Sequence, residues 1–283
     1  MLPPDVEARV VAVAADRESG ASELAMLALE AFEVFCTAKR VPEELRELAA
    51  KLEAAQPSMA MVRNVAHLCA ELVAESPDAR LALQEVRREL TGAQEKIARN
   101  AIKVFSTRVT LLTLSRSAAV IATCKWLHTR GRLAAVYVLE SRPGLEGRRT
   151  AEELAAAGIP TTIAADALGP TLVRECDAVL AGADSVLRDG ALVNKIGTYP
   201  LALAAKAAGK PFYGACEVLK IDAAHTAQTI PPPELKPPDE LQPPPKVGVR
   251  NVYFDLTPPE LVTSFITDKG VYEGRRISQF VSL

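Results

Sequence analysis

Cysteine, histidine and aromatic side chains are all scarce in this sequence, and the gaps exclude several classes of protein. The five cysteines stand at 36, 69, 124, 176 and 216, and the three histidines at 67, 128 and 225. No two cysteines fall within four residues of each other, so neither a CxxC redox pair nor a zinc ribbon can be read. An odd, scattered set fits reduced thiols in a cytoplasm. The histidines form no HxxxH or HExxH pair, so no metal centre is expected. Long apolar runs are missing as well: without 18 consecutive apolar residues, no membrane span is expected. The opening MLPPDVEARV lacks a basic n-region and an apolar core, so no signal peptide is expected. Nor is there an excess of one charge. Lys+Arg number 33 and Asp+Glu 35, for a net charge of -2, which argues against a broadly basic nucleic-acid-binding surface. Neither GxGxxG nor GxxxxGK[ST] occurs, so a dinucleotide or triphosphate in its usual cradle is disfavoured and no cofactor is expected.

The 283 residues are 49% hydrophobic and 24% charged, the composition of a globular chain with one large domain or two modest ones. Glycine divides it. Residues 1–105 hold two of the fifteen glycines, Gly20 and Gly92. That alanine-rich half carries the helical period: Leu24, Leu27, Ala28, Ala31 and Phe35 form one apolar stripe, and Val62, Val65, Ala66, Cys69 and Val73 another. Pro42, Pro57 and Pro77 mark helix starts, with Asp78 placed to cap the last helix. Four or five helices are expected, forming a domain over 1–105. Residues 106–283 instead alternate short apolar runs with helical stretches. Strands are expected at Val109–Leu114, Ala134–Leu139, Pro160–Ala165, Asp177–Ala181 and Phe212–Cys216, with later candidates at Val252–Leu256 and Ser264–Thr267. Strands spaced by helices predict a parallel, doubly wound sheet, so the fold class is α/β with an N-terminal helical domain. Residues 231–245, PPPELKPPDELQPPP, hold eight prolines and read as an irregular surface loop.

Ligands bind such sheets at the carboxyl ends of the strands. The residues there are Ser115 and Ser117 after the first strand, Arg142 after the second, Asp184 after the fourth, then Asn194-Lys195, and Lys220 after the sixth. Arg, Lys, Ser and helix starts suit a phosphate, while Asp and Asn suit sugar hydroxyls. The inferred ligand is a phosphorylated sugar or a nucleoside monophosphate. A lysine among Val193, Ile196 and Gly197 calls for an anionic partner, whereas Asp189-Gly190 reads as a hairpin turn.

The run GADSVLRDGALVNKIGTYPLALAAKAAGKPFY (182–213) resembles the signature of the family of translation initiation factor 2B alpha, beta and delta subunits and sugar-1-phosphate isomerases. SGASELA (19–25), QPSMAMVRN (56–64), VYVLESRPGLEGRRTAEELAAAGIPTT (136–162), EVLKID (217–222) and DLTPPELVTSFITDKGV (255–271) support it in order. The resemblance implies a helical N-terminal domain, a Rossmann-like domain over 106–283, and a homodimer built by the latter. Isomerases of this family, resembling ribose-1,5-bisphosphate and methylthioribose-1-phosphate isomerases, convert a C1-phosphorylated aldose to a ketose. They use a cysteine after the first strand and the aspartate of GAD, here Asp184. At the cysteine position an ungapped reading back from ESRP places Ser115; a nine-residue slip would place Cys124, inside a helix. The isomerases also carry an arginine just before the N-terminal Gly-Ala; here Ser19 precedes Gly20-Ala21, and Arg17 lies two residues earlier. Both departures point to the initiation-factor-like branch. The resemblance assigns phosphate contacts to Arg142, Lys195, Ser115, Ser117 and Gly20-Ala21, sugar hydroxyls to Asp184 and Asn194, and the pocket edge to Lys220. It implies a cytoplasmic, regulatory binder of a phosphosugar or nucleoside monophosphate, with a possible translation-factor partner. Two alternatives stay open: an aldose–ketose isomerase, and a pure interaction subunit with a vestigial pocket.

Overall fold

Low glycine and dense alanine make the first third of the chain helical. A computed structural model describes residues 2–16, 19–36, 42–57, 59–274 and 276–277. Its helices are α1 (Pro4–Ala15), α2 (Ala21–Phe35), α3 (Pro42–Ala55), α4 (Ala60–Glu75) and α5 (Ala79–Ala101). Most of the two stripes read from the sequence is buried, with Leu24, Ala28, Ala31 and Phe35 on α2 and Val62, Val65, Ala66 and Cys69 on α4, while Leu27 and Val73 are only half-buried. Asp78 caps α5, its Oδ1 accepting from the Leu81 N–H at 3.1 Å. The chain divides into two compact units, Met1–Ala93 and Gln94–Leu283, and the division falls within α5. Among the described residues no helix is long and apolar enough to cross a membrane.

The second unit is built on a seven-stranded sheet. Its seven strands, numbered in chain order together with the four of a smaller sheet, begin β1 (Val109–Leu114), β2 (Leu133–Leu139), β3 (Thr161–Ala164), β4 (Ala178–Ala181), β5 (Ser185–Leu187) and β6 (Leu192–Lys195). They continue with β7 (Phe212–Cys216), β8 (Ile221–Asp222), β9 (Phe254–Thr257), β10 (Ser264–Thr267) and β11 (Gly270–Glu273). The large sheet has the order β11-β10-β7-β4-β1-β2-β3. All neighbours are parallel except the terminal β10–β11 pair. Successive residues of its strands serve opposite faces: Leu112 and Leu114 join one core cluster and Leu111 the other. The central strands β1, β4 and β7 are covered on both faces, which is why they read as largely apolar runs, while the edge strand β3 leaves Ile163 exposed. Helices α6 (Ala118–Thr129) and α7 (Glu146–Ala156) cover one face through Val120, Cys124, Leu127 and Leu154. Short α8 (Gly169–Leu172) and α9 (Thr198–Ala207) cover the other through Leu172, Leu201, Ala202 and Ala205.

The chain leaves β1 towards β2 and β3, then returns to β4 on the other side of β1. The crevice at the carboxyl ends of β1 and β4 is therefore the topological switch, where open α/β sheets take ligands. The hairpin turn read at Asp189-Gly190 joins β5 to β6, and the sheet they belong to is not evident from the sequence. β8, β5, β6 and β9 form a separate four-stranded sheet, in which β6 pairs antiparallel with both β5 and β9. The run expected at Val252–Leu256 thus belongs to this small sheet, one to two residues later, as Phe254–Thr257. Residues 231–245 carry only a 3-10 turn at Pro238–Leu241.

Candidate functional site

At the end of β1 the chain turns through Ser115, whose φ is +61°, and at the end of β2 through Ser141, φ +67°. Non-glycine residues rarely hold this left-handed backbone, and here side-chain bonds fix it. The Ser115 N–H donates to Ser141 Oγ at 2.6 Å, and Thr150 Oγ1 donates to the Ser115 carbonyl at 2.8 Å. Both Asp166 oxygens accept backbone N–H groups, from Ser141 and Arg142, at 2.7 Å each. Asp166 thereby aims the strand-end loop that presents Arg142, whose side chain is exposed. Ser117 is the N-cap of α6, accepting from Val120 N–H at 3.4 Å. Beside it lies Gly182: a Cβ there would stand 2.6 Å from Ser117 Cβ and 3.8 Å from Asn194 Oδ1. The glycine of the GAD run is therefore what lets Ser117 and Asn194 approach across the switch point.

Asn194 and Lys195 are both buried at the end of β6. Asn194 Nδ2 donates to Thr198 Oγ1 at 2.9 Å, and that hydroxyl donates to the Lys195 carbonyl at 2.6 Å. Lys195 Nζ donates to Glu146 Oε1, the first residue of α7, at 2.8 Å, and stands 4.7 Å from the centroid of the Tyr253 ring. One turn further along α7, Thr150 holds Ser115, so Ser115, after β1 of the large sheet, and Lys195, at the end of β6 of the small one, meet the same helix one turn apart. Lys220 pairs with Glu217 at 3.2 Å, and Gln94 Nε2 donates to Glu217 Oε1 at 3.1 Å.

Asp184 leaves β4 half-buried, its N–H given to the Val193 carbonyl at 3.0 Å. Burial pushes its carboxyl up to about 6; Lys220 and then Lys195 pull it down, and Glu146 pushes it up. Burial acts to lower the Lys220 ammonium, but Glu217 and Asp184 outweigh it, and the net direction is upward. Asp184, Lys195, Lys220 and Glu146 thus form one electrostatic cluster. A carboxyl that titrates near neutrality beside two ammonium groups can hold or release a proton at working pH. A carboxyl raised in the folded state stabilises the fold at low pH, and that contribution fades as pH rises through about 6. Asp184→Asn, which mimics the neutral form, is expected to raise the melting temperature at pH 8, with the gain shrinking as pH falls below about 6; melting curves at several pH values check this.

Gly20 and Ala21 belong to the helical unit. Gly20 is the N-cap of α2, and its N–H is taken by Glu23 Oε2 at 3.0 Å, while Ala21 is buried. Arg17 lies outside the described residues. Cys124 sits mid-helix in α6, fully buried, its thiol pushed up to about 12 by burial. Burial also pushes Cys176 up to about 12 and raises Cys216, at the end of β7.

Three acidic residues to which the sequence assigns no role shape this region. Glu146 was signalled only by its place in a first helical turn, where a carboxylate is favourable. Glu217 follows β7 three residues before Lys220, within EVLKID, but the sequence does not show that the two pair. Asp255 opens the run DLTPPELVTSFITDKGV that supports the family resemblance, but nothing in the sequence gives it a role. Its carboxylate accepts from Gly197 N–H at 2.8 Å and from Tyr199 N–H, closing the start of α9. Burial raises it to about 6 against these donors. The helix start beside Asn194-Lys195 is therefore filled by the protein's own carboxylate.

Known proteins share this architecture. The chain is 42% identical over 155 residues to a methylthioribose-1-phosphate isomerase of Heliobacterium modesticaldum, spanning 51% of this chain and about half, 45%, of that one. It is 32% identical over 270 residues to a ribose 1,5-bisphosphate isomerase of Archaeoglobus fulgidus, covering 89% of this chain and 84% of that one. The crystal structure of a Pyrococcus horikoshii translation initiation factor eIF-2B superposes with a TM-score of 0.84 at 27% identity, over 96% of this chain and 98% of that one. The model of the Initiation factor 2 subunit family matches residues 17–274, and the chain belongs to that family.

Proposed function

We propose that this protein is a regulatory, initiation factor 2B alpha-like binder of a phosphosugar or nucleoside monophosphate, held at the carboxyl ends of β1, β2 and β4. The observation that carries the reading is the pairing of a charged, hydroxyl-lined edge with the absence of any reactive thiol there among the described residues. Asp184, Asn194, Lys195, Lys220, Ser115 and Ser117 supply charge-assisted and hydroxyl contacts. The residue at the turn after β1 is Ser115, and the buried thiols of Cys124 and Cys216 are shifted away from the thiolate form that acid–base or nucleophilic chemistry needs. The reading includes a cytoplasmic location and a homodimer formed through the C-terminal unit.

An aldose–ketose isomerase is the second reading, favoured by one observation: Asp184, with its carboxyl near 6, is suited to proton transfer. Calorimetric titration with ribose 1,5-bisphosphate and adenosine monophosphate, run beside a ketose-formation assay on C1-phosphorylated riboses, separates the two. Binding without turnover is expected. Turnover on the order of one per second, lost in Asp184→Asn, would make the protein an isomerase. Binding of neither ligand class would leave an interaction subunit.

A further inference from the structure

Lys195 already has an anion. Its side chain is 4% exposed, and the side chain of Glu146, whose carboxylate meets it at 2.8 Å, is 35% exposed, so Glu146 is the more solvent-facing member of the pair. The other oxygen of that carboxylate, Oε2, is buried and has no hydrogen-bond partner. An acceptor left this way calls for a donor from elsewhere. The carboxylate also occupies space that Gly144 leaves open: a Cβ at 144 would lie 2.4 Å from Glu146 Oε1. Around the pair stand Asp184, Lys220 with Glu217, and the Tyr253 ring. Glu146, Asp184 and Glu217 set three carboxylates against the two ammonium groups of Lys195 and Lys220. A bare phosphate entering such a cluster meets a lysine that is already neutralised and carboxylates that repel it. A ligand that also brings hydroxyl donors satisfies Oε2.

We propose that Glu146 is a specificity-determining residue of this pocket: it holds Lys195 as an internal anion, so the pocket refuses simple phosphate and accepts a phosphorylated polyol whose hydroxyls donate to the carboxylates. This rests on the reading that the edge at β1 and β4 is the ligand site. The test is calorimetric titration of wild type, Glu146→Gln and Glu146→Ala with inorganic phosphate and with ribose 1,5-bisphosphate. Both variants release Lys195, and glutamine keeps the shape. Phosphate affinity is expected to rise about tenfold or more in each. The preference for the sugar phosphate over phosphate is expected to fall by a similar factor. Adding Lys195→Met to Glu146→Gln should cancel the gain, which locates it at the lysine. Unchanged or weaker phosphate binding in both single variants overturns the proposal. If wild type fails to bind the sugar phosphate yet Glu146→Gln gains phosphate, the ligand reading falls while the role of Glu146 stands.

Discussion

Substituting Gly147 by alanine is expected to destabilise the C-terminal unit by about 3 kcal/mol, at or beyond the usual cost of overpacking, because the obstacle is main chain. A Cβ at 147 would lie 1.8 Å from the Leu139 carbonyl oxygen and 2.9 Å from its carbon. No rotamer change relieves such a clash. Either α7 lifts off the end of β2 or the strand bends, and α7 carries both Glu146 and Thr150, so the ligand edge is disturbed as well. Trp126, the one tryptophan of the sequence, lies in α6 of the same unit, and its fluorescence during urea unfolding reads the loss directly. Gly92 provides the opposite case. It sits inside α5 with nothing within 4 Å of a Cβ position, so Gly92→Ala should stabilise by up to about 1 kcal/mol through helix propensity alone. Equal, small effects at the two positions would mean that the close approach of α7 to β2 is not maintained.

Gly147 also marks the limit of what the sequence could tell. The apolar period identified the helices, and the runs at Val109–Leu114 and Phe212–Cys216 are strands with the predicted bounds, because burial on both faces writes itself as composition. Capping chemistry placed Asp78 correctly. The small sheet escaped because its strands are two to four residues long and alternate with turns, too short for a period to show. Ion pairing escaped for a different reason. Glu146 meets Lys195 across 49 residues of chain, and Asp255 reaches Gly197 across 58. Both contacts depend on sheet order, which local patterning does not encode. Ser115 and Ser117 could be placed at a strand end from the sequence, but the left-handed turn at Ser115, set by Ser141 and Thr150, could not. The residues that carry charge were legible; the partners that decide what the charge does were not.

Lys195→Met is expected to weaken ribose 1,5-bisphosphate binding by about a hundredfold at pH 8, since one unit charge about 6 Å from an anionic ligand is worth about 3 kcal/mol at an effective dielectric constant of about 20. The loss does not require that Lys195 touch the phosphate. With methionine at 195, Glu146, Asp184 and Glu217 face Lys220 alone, and the cluster becomes one charge more negative towards an anionic ligand. Glu146 Oε2 is already without a partner, but the side chain as a whole is 35% exposed and can turn towards water, so the stability penalty should be smaller than for a fully enclosed pair, about 1–2 kcal/mol. A second signature separates electrostatics from lost shape. Lys195 is one of the two groups that pull the Asp184 carboxyl down, so its removal moves that carboxyl above about 6. Residual binding in Lys195→Met should therefore recover as pH falls from 8 to 5.5, because protonating Asp184 removes a repelling charge. Lys195→Arg retains the cation but replaces a compact ammonium with a planar fork, and should fall between the two. Calorimetric titrations at both pH values, with Trp126 fluorescence as the folding control, give all three readings. Affinity in Lys195→Met within threefold of wild type at pH 8 would remove this cluster as the ligand site.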